Sequence, residues 1–261
     1  VFQALAERKS DLDAGVFAYA KAGFGDYPGF LSAFGYWIGS CIGNVSYWVL
    51  IKSTLGAFFP VFGDGNTVIA IAVASIGIWL FHFLILRGVQ QAAAINKIVT
   101  IAKVILILAF AFRVDLFSFN LYGGDLTNGL FEQVKATMLV TVFVFIGIEG
   151  ASVYSRFAKE RSDVGKATIL GFIGVTGLMV LVTLLPYAVL ERADIAGTRQ
   201  PSMAAVLESE VGPWGAIFVS VGLLVSVLGA YLAWALICAE VMFAAGKSKD
   251  MPRAFAKVNK N

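Results

Sequence analysis

The chain has 261 residues, of which 59% are hydrophobic and only 14% charged, with a mean hydropathy of +0.81. Soluble domains carry about a quarter charged residues, so this composition excludes an ordinary soluble enzyme and marks a polytopic, all-α membrane protein. The net charge of +3 is explained by loops rather than nucleic acid, and one His with two Cys outside any CxxC pair offers no zinc motif and fixes no redox compartment.

In chain order, Val1 to Ala6 reads as the last turns of a span whose beginning lies outside the sequence, with no signal peptide before it. Glu7 to Asp13 is a charged loop, and Ala14 to Phe24 suits a short interfacial helix. The first complete span starts near Tyr27-Pro28, where proline is tolerated, and runs to about Phe59, longer than the roughly 20 residues a bilayer needs. Phe58-Phe59-Pro60 and Gly63-Asp64-Gly65-Asn66 form the next turn. Thr67 to Leu86 is the second span and Ile95 to Phe112 the third, followed by a loop over Arg113 to Asn128. Ala136 to Tyr154 is the fourth, Arg156 to Lys166 a charged loop, and Thr168 to Leu190 the fifth. Glu191 to Gly212 reads as a longer polar connection, and Trp214 to Ala245 as the sixth span before a basic loop to Asn261.

Loop charges give the orientation. One set of alternate loops carries 14 Lys and Arg and the opposite set five, so the first set is cytoplasmic. The alternation holds only for six complete spans, which supports that reading of the sequence.

The fourth span holds the most informative stretch, Phe143-Val144-Phe145-Ile146-Gly147-Ile148-Glu149-Gly150-Ala151-Ser152. A charged group at bilayer depth costs roughly 2.5 to 3.5 kcal/mol on insertion scales and normally faces a bundle interior or a water-filled path. Gly147 and Gly150 let the helix unwind, and a broken helix in hydrocarbon is tolerated where protein or a cavity satisfies the freed backbone. The stretch therefore reads as a discontinuous helix lining a transport site, against a plain glycine kink with a structurally paired Glu149.

Three further features accompany it. Tyr36, Ser40, Asn44 and Tyr47 lie on one face of the first full span, serving either helix-to-helix hydrogen bonds or a ligand. Trp234 sits well inside the sixth span, where it either packs or stacks on a cationic group. Lys103 is a second ionisable group at depth, a candidate with Glu149 for proton coupling unless it snorkels to the cytoplasm.

These residues together resemble the amino acid-polyamine-organocation superfamily, most closely its basic amino acid antiporters of the arginine/ornithine type. The resemblance is carried by Asp11-Leu12-Asp13-Ala14-Gly15 with Tyr19-Ala20, Gly35-Tyr36-Trp37-Ile38 with Ile42-Gly43-Asn44, Ile95-Asn96 with Thr100-Ile101-Ala102-Lys103, the Phe145 to Ser152 stretch, and Lys257-Val258-Asn259-Lys260. It implies a twelve-span fold with a five-helix inverted repeat. The chain would then be a single membrane-domain fragment holding the end of span two and spans three to eight, without span one or spans nine to twelve, and would not transport alone. It also implies secondary antiport of arginine for ornithine by alternating access across a bacterial inner membrane. The alternatives are a proton-coupled amino acid permease and a non-transporting partner subunit or receptor.

By position, the resemblance makes Glu149 the gating acid and Phe143 the gate aromatic, with Ile146, Gly147, Gly150 and Ala151 lining the break. Trp234 packs on the substrate's aliphatic stem, while Tyr36, Ser40 and Asn44 lie near the bound amino acid. Lys103 stands where sodium sits in sodium-coupled relatives. The implied partners are basic amino acids and membrane lipid, with a homodimer allowed; no cofactor, metal, nucleic acid or enzymatic activity is implied.

Overall fold

The computed structural model describes residues 4–5, 8–9, 12, 15–86, 101, 129–153, 158–198 and 202–257. Among them the regular structure is helical throughout, as expected where hydrocarbon forces each backbone N–H and C=O to be satisfied within its own segment. The interfacial helix is α1, Val16–Phe24, which turns through Gly25 at φ 95° into α2, Asp26–Phe58. Asp26 complements the positive end of the α2 dipole, and Pro28 lacks only an N–H that would have no partner in a first turn. A 3₁₀ turn at Pro60–Phe62 then leads through Gly63 and Gly65, both at positive φ, into α3, Val68–Leu86.

The fourth span is interrupted where the glycines predict. α4, Leu130–Val144, stops in mid-span, 145–149 is a run of turns, and α5, Gly150–Val153, resumes the helix. α6, Arg161–Leu184, begins before the predicted Thr168, so the charged loop expected over Arg156 to Lys166 is helical from Arg161. Asp163 in the first turn favours this start through the dipole, and Lys166 reaches it at 3.9 Å.

A 3₁₀ turn at Leu185–Ala188 follows. The connection expected as polar over Glu191 to Gly212 is instead largely helical, in α7, Arg192–Gly197, and α8, Ser202–Val211. The cause is apolar burial: Val206 and Leu207 pack with Leu185 beside Leu181, Met203 and Val219. α9, Pro213–Lys247, is the last long helix.

Among the described residues three helices are long and apolar enough to cross a membrane, Val68–Leu86, Ser162–Ala188 and Pro213–Lys247. α2 has 33 residues, but its polar stripe and glycines hold its hydropathy below theirs. The third predicted span lies outside the described residues except at Ile101.

The chain divides into two compact units, one of Val1–Trp37, Leu121–Val180 and Ile237–Val258, the other of Ile38–Asn120, Leu181–Leu236 and Asn259–Asn261. In the second, Trp48, Ile51, Ala74 and Val227 form a buried cluster. The Trp48 ring meets Phe81 and Tyr231 edge to face, with centroids 6.2 and 5.5 Å apart, a favoured aromatic geometry. Gly77 permits this packing, because a Cβ there would overlap the Trp48 indole.

In the first unit α9 ends in a Schellman motif. The Asp250 N–H donates to the Ala245 carbonyl at 3.0 Å and the Lys249 N–H to that of Gly246 at 3.3 Å. The motif needs a left-handed residue, here Lys249 at φ 67° rather than the usual glycine. A 3₁₀ turn, Arg253–Ala256, folds back on Gly246, where a Cβ would meet the Ala256 nitrogen at 2.9 Å.

Candidate functional site: the break in the fourth span

The unwinding is a chain of short turns. Ile146 donates to the Phe143 carbonyl at 3.2 Å, Ile148 to Phe145 at 3.4 Å and Gly150 to Gly147 at 3.0 Å, each bond spanning three residues. Gly147 has φ 115°, which an L side chain rarely adopts, so glycine is required there. The positive φ turns the chain so that the Glu149 carboxylate reaches back over the break, and its Oε2 accepts the Gly147 N–H at 2.8 Å.

The other carboxylate oxygen faces α2. The Tyr36 hydroxyl donates to Glu149 Oε1 at 2.9 Å, joining two residues 113 positions apart. Bonds to an ionised acceptor are roughly twice as strong as neutral ones, and both oxygens have a named donor. The half-buried acid thus ties α2 to the break and satisfies a backbone donor that unwinding releases. Just beyond it, the Ser152 hydroxyl donates to the Glu149 carbonyl at 2.6 Å, and Ser152 is fully buried.

Tyr36, Gly147, Glu149, Gly150 and Ala151 are therefore grouped at the break or bonded to it, with Gly150 buried and Ala151 half-buried. Phe143 and Ile146 are 62% and 51% exposed, and the aromatic that packs is Phe145, whose ring lies 5.5 Å from Phe172. Ser40, Asn44 and Trp234 belong to the second unit, where Ser40 is buried and the other two half-buried. There the Trp234 indole bonds to the Tyr47 hydroxyl, joining it to a residue of the polar stripe; the indole N–H can only donate. Lys103 lies outside the described residues.

Two further features, one of them at a glycine quoted in the sequence but given no role there, contribute to the site. Gly15, at φ 57°, lies so close to α5 that a Cβ would sit 2.7 Å from Ser152 Oγ and 2.9 Å from the Val153 nitrogen. Beside Tyr36 a narrow, closely packed crevice is lined by Val16, Phe17, Ser32, Tyr36, Val153 and Val241. The pair Asp13-Ala14 before Gly15 was the available signal, since a glycine there supplies a tight helix entry.

A helical membrane bundle with an unwound span and a carboxylate held across the unwinding has the make-up of a polytopic transporter fold. The chain belongs to the amino acid permease family, whose profile matches residues 1–261. It is 55% identical over its whole length to the arginine/ornithine antiporter of Pseudomonas aeruginosa, covering 56% of that protein. It is 43% identical over 99% of its length to the L-lysine transport protein of Corynebacterium glutamicum, covering 53% of it. To the arginine/agmatine antiporter of Chlamydia abortus it is 42% identical over 99% of its length, covering 56%. The chain spans about half the length of the curated relatives it matches. With its bacterial relatives and apolar helices, it is a multi-pass protein of the bacterial inner membrane.

Proposed function

We propose that this chain carries the central spans of a secondary antiporter that exchanges cationic amino acids, arginine inward for ornithine outward, by alternating access. The observation that carries the reading is the Glu149 carboxylate bridging the break, with one oxygen on Tyr36 and the other on Gly147. Such a carboxylate exchanges its donors when the half-helix moves, so occupancy of the site is coupled to closure. The relatives' names, arginine/ornithine antiporter and L-lysine transport protein, support a cationic amino acid as substrate.

In this scheme Trp234 and Phe143 hold the aliphatic stem, Tyr36, Ser40 and Asn44 accept hydrogen bonds from the cationic head, and Glu149 reports occupancy. Ile146, Gly147, Gly150 and Ala151 contribute the backbone of the break, and Lys103 replaces a coupling cation. The span order, from the end of span two through span eight, is proposed on the same grounds.

The test is uptake of labelled arginine into proteoliposomes containing the full-length protein, loaded with ornithine, with lysine or with buffer alone. Stimulation by internal ornithine is expected. Uptake that ignores internal amino acid and follows a pH gradient would replace exchange with proton-coupled permeation.

A further inference from the structure

α1 is fastened at both ends within the first unit. At its start, Gly15 sits in van der Waals contact with Ser152 and Val153, the first turn after the break. At its end, Lys21 Nζ donates to both carboxylate oxygens of Asp250, at 2.7 and 2.6 Å, and lies 3.4 Å from Asp26. The Asp250 side chain is 8% exposed, so most of its acceptor capacity is committed to this cation. Gly29 completes the fastening: a Cβ there would lie 2.7 Å from the Lys21 Cβ, so the first turn of α2 presses on the lysine stem.

Between these ends, Val16 and Phe17 of α1 line the crevice beside Tyr36 together with Ser32 and Val153. Phe17 is only 4% exposed. Tyr36, which holds Glu149, forms another wall of the same crevice. The loop charges put α1 on the cytoplasmic side, and its Val16 and Phe17 close the crevice that Tyr36, the donor to Glu149, also lines.

We propose that Lys21 and Asp250 are a positioning pair: their ion pair keeps α1 seated over the crevice behind the broken span, and its release uncovers the cytoplasmic route to Glu149. The strained Schellman end of α9 serves this pair, because Lys249 in the left-handed region places Asp250 next to α1. The pair touches no substrate and acts through the seating of Phe17. Its role presupposes transport through the broken span, whereas thiol labelling reads closure without any exchange, so the two can fail separately.

The experiment places a cysteine at Ser32 in the full-length protein freed of its native cysteines, including Cys41 and Cys238. Labelling by a membrane-impermeant maleimide is followed in inside-out and right-side-out vesicles. Asp250→Asn is expected to speed labelling from the cytoplasmic face roughly tenfold, equivalent to releasing one closed-state equilibrium by about one decade. Lys21→Arg and the charge swap of Lys21→Asp with Asp250→Lys should return it to the slow rate. Unchanged labelling in Asp250→Asn, or a swap as fast as the single variant, overturns the proposal. Labelling that is equal from both faces would mark loss of the fold, reduce the pair to a structural bond and overturn it as well.

Discussion

The Tyr36 hydroxyl donates to Oε1 of Glu149 at 2.9 Å while the same carboxylate, through Oε2, holds the N–H of Gly147 at 2.8 Å. One side chain therefore binds both a neighbouring helix and the backbone of its own unwound segment. Removing the phenol separates these duties. Hydrogen bonds to charged groups contribute about 1.5 to 3 kcal/mol, and each 1.36 kcal/mol on a barrier is tenfold in rate. Tyr36→Phe is expected to slow arginine exchange by roughly tenfold or more at saturating arginine, with membrane insertion intact. Exchange at the unaltered rate would remove this bond from the mechanism.

Gly77 and Trp48 make the second prediction. A methyl group at Gly77 would overlap the indole, and overpacking a tight contact costs about 1 to 3 kcal/mol. Gly77→Ala should lower the thermal midpoint of the detergent-solubilised protein. Adding Trp48→Leu should recover part of the loss, and a double variant no better than the sum of the singles would show that the ring is not the obstacle.

Alkaline pH addresses the Lys21 pair. The hydrogen bond that Lys21 donates to Asp250 outweighs burial and, with the carboxylate's charge, raises the Lys21 ammonium above its ordinary 10.5. A cation raised in the folded state contributes stability that is whole below the unfolded value and is lost as pH rises through the folded one. The difference in thermal midpoint between the parent and Lys21→Met should stay level from about pH 8 to about pH 10 and narrow above it. A gap that narrows instead toward acid would point to a different group.

Lys249 supplies the fourth. A non-glycine residue in the left-handed region costs roughly 1 to 2 kcal/mol, partly offset in glycine by its freedom in the unfolded chain. Lys249→Gly should therefore raise stability by about 0.5 to 1 kcal/mol, seen as a higher melting temperature. A lower one would show that the lysine side chain has a stabilising contact that outweighs its backbone strain.

The break, its glycines and the acid between them were legible in the sequence because a charge in a long apolar run has so few physical explanations. The entry of α2 at Tyr27-Pro28 was legible for a similar local reason. The packing of Phe145 on Phe172 was not, because helical periodicity loses its phase wherever the helix unwinds. α7 and α8 were hidden by their charges, which sit on exposed faces while Val206 and Leu207 bury. The bond between Lys21 and Asp250 joins residues 229 positions apart, and no local pattern announces so distant a partner.

An uninterrupted membrane helix can bend sharply only by surrendering ladder hydrogen bonds, each worth about 4 to 6 kcal/mol in an apolar medium. Between Val144 and Gly150 that ladder is already replaced by three-residue turns. Swivelling of one half of this span against the other therefore breaks no regular ladder bond, only short turn bonds around Gly147 and the two contacts at Glu149. The Tyr36 bond therefore weights one end position of this motion rather than resisting it, so single substitutions on α2 adjust how the span is shared between its two positions.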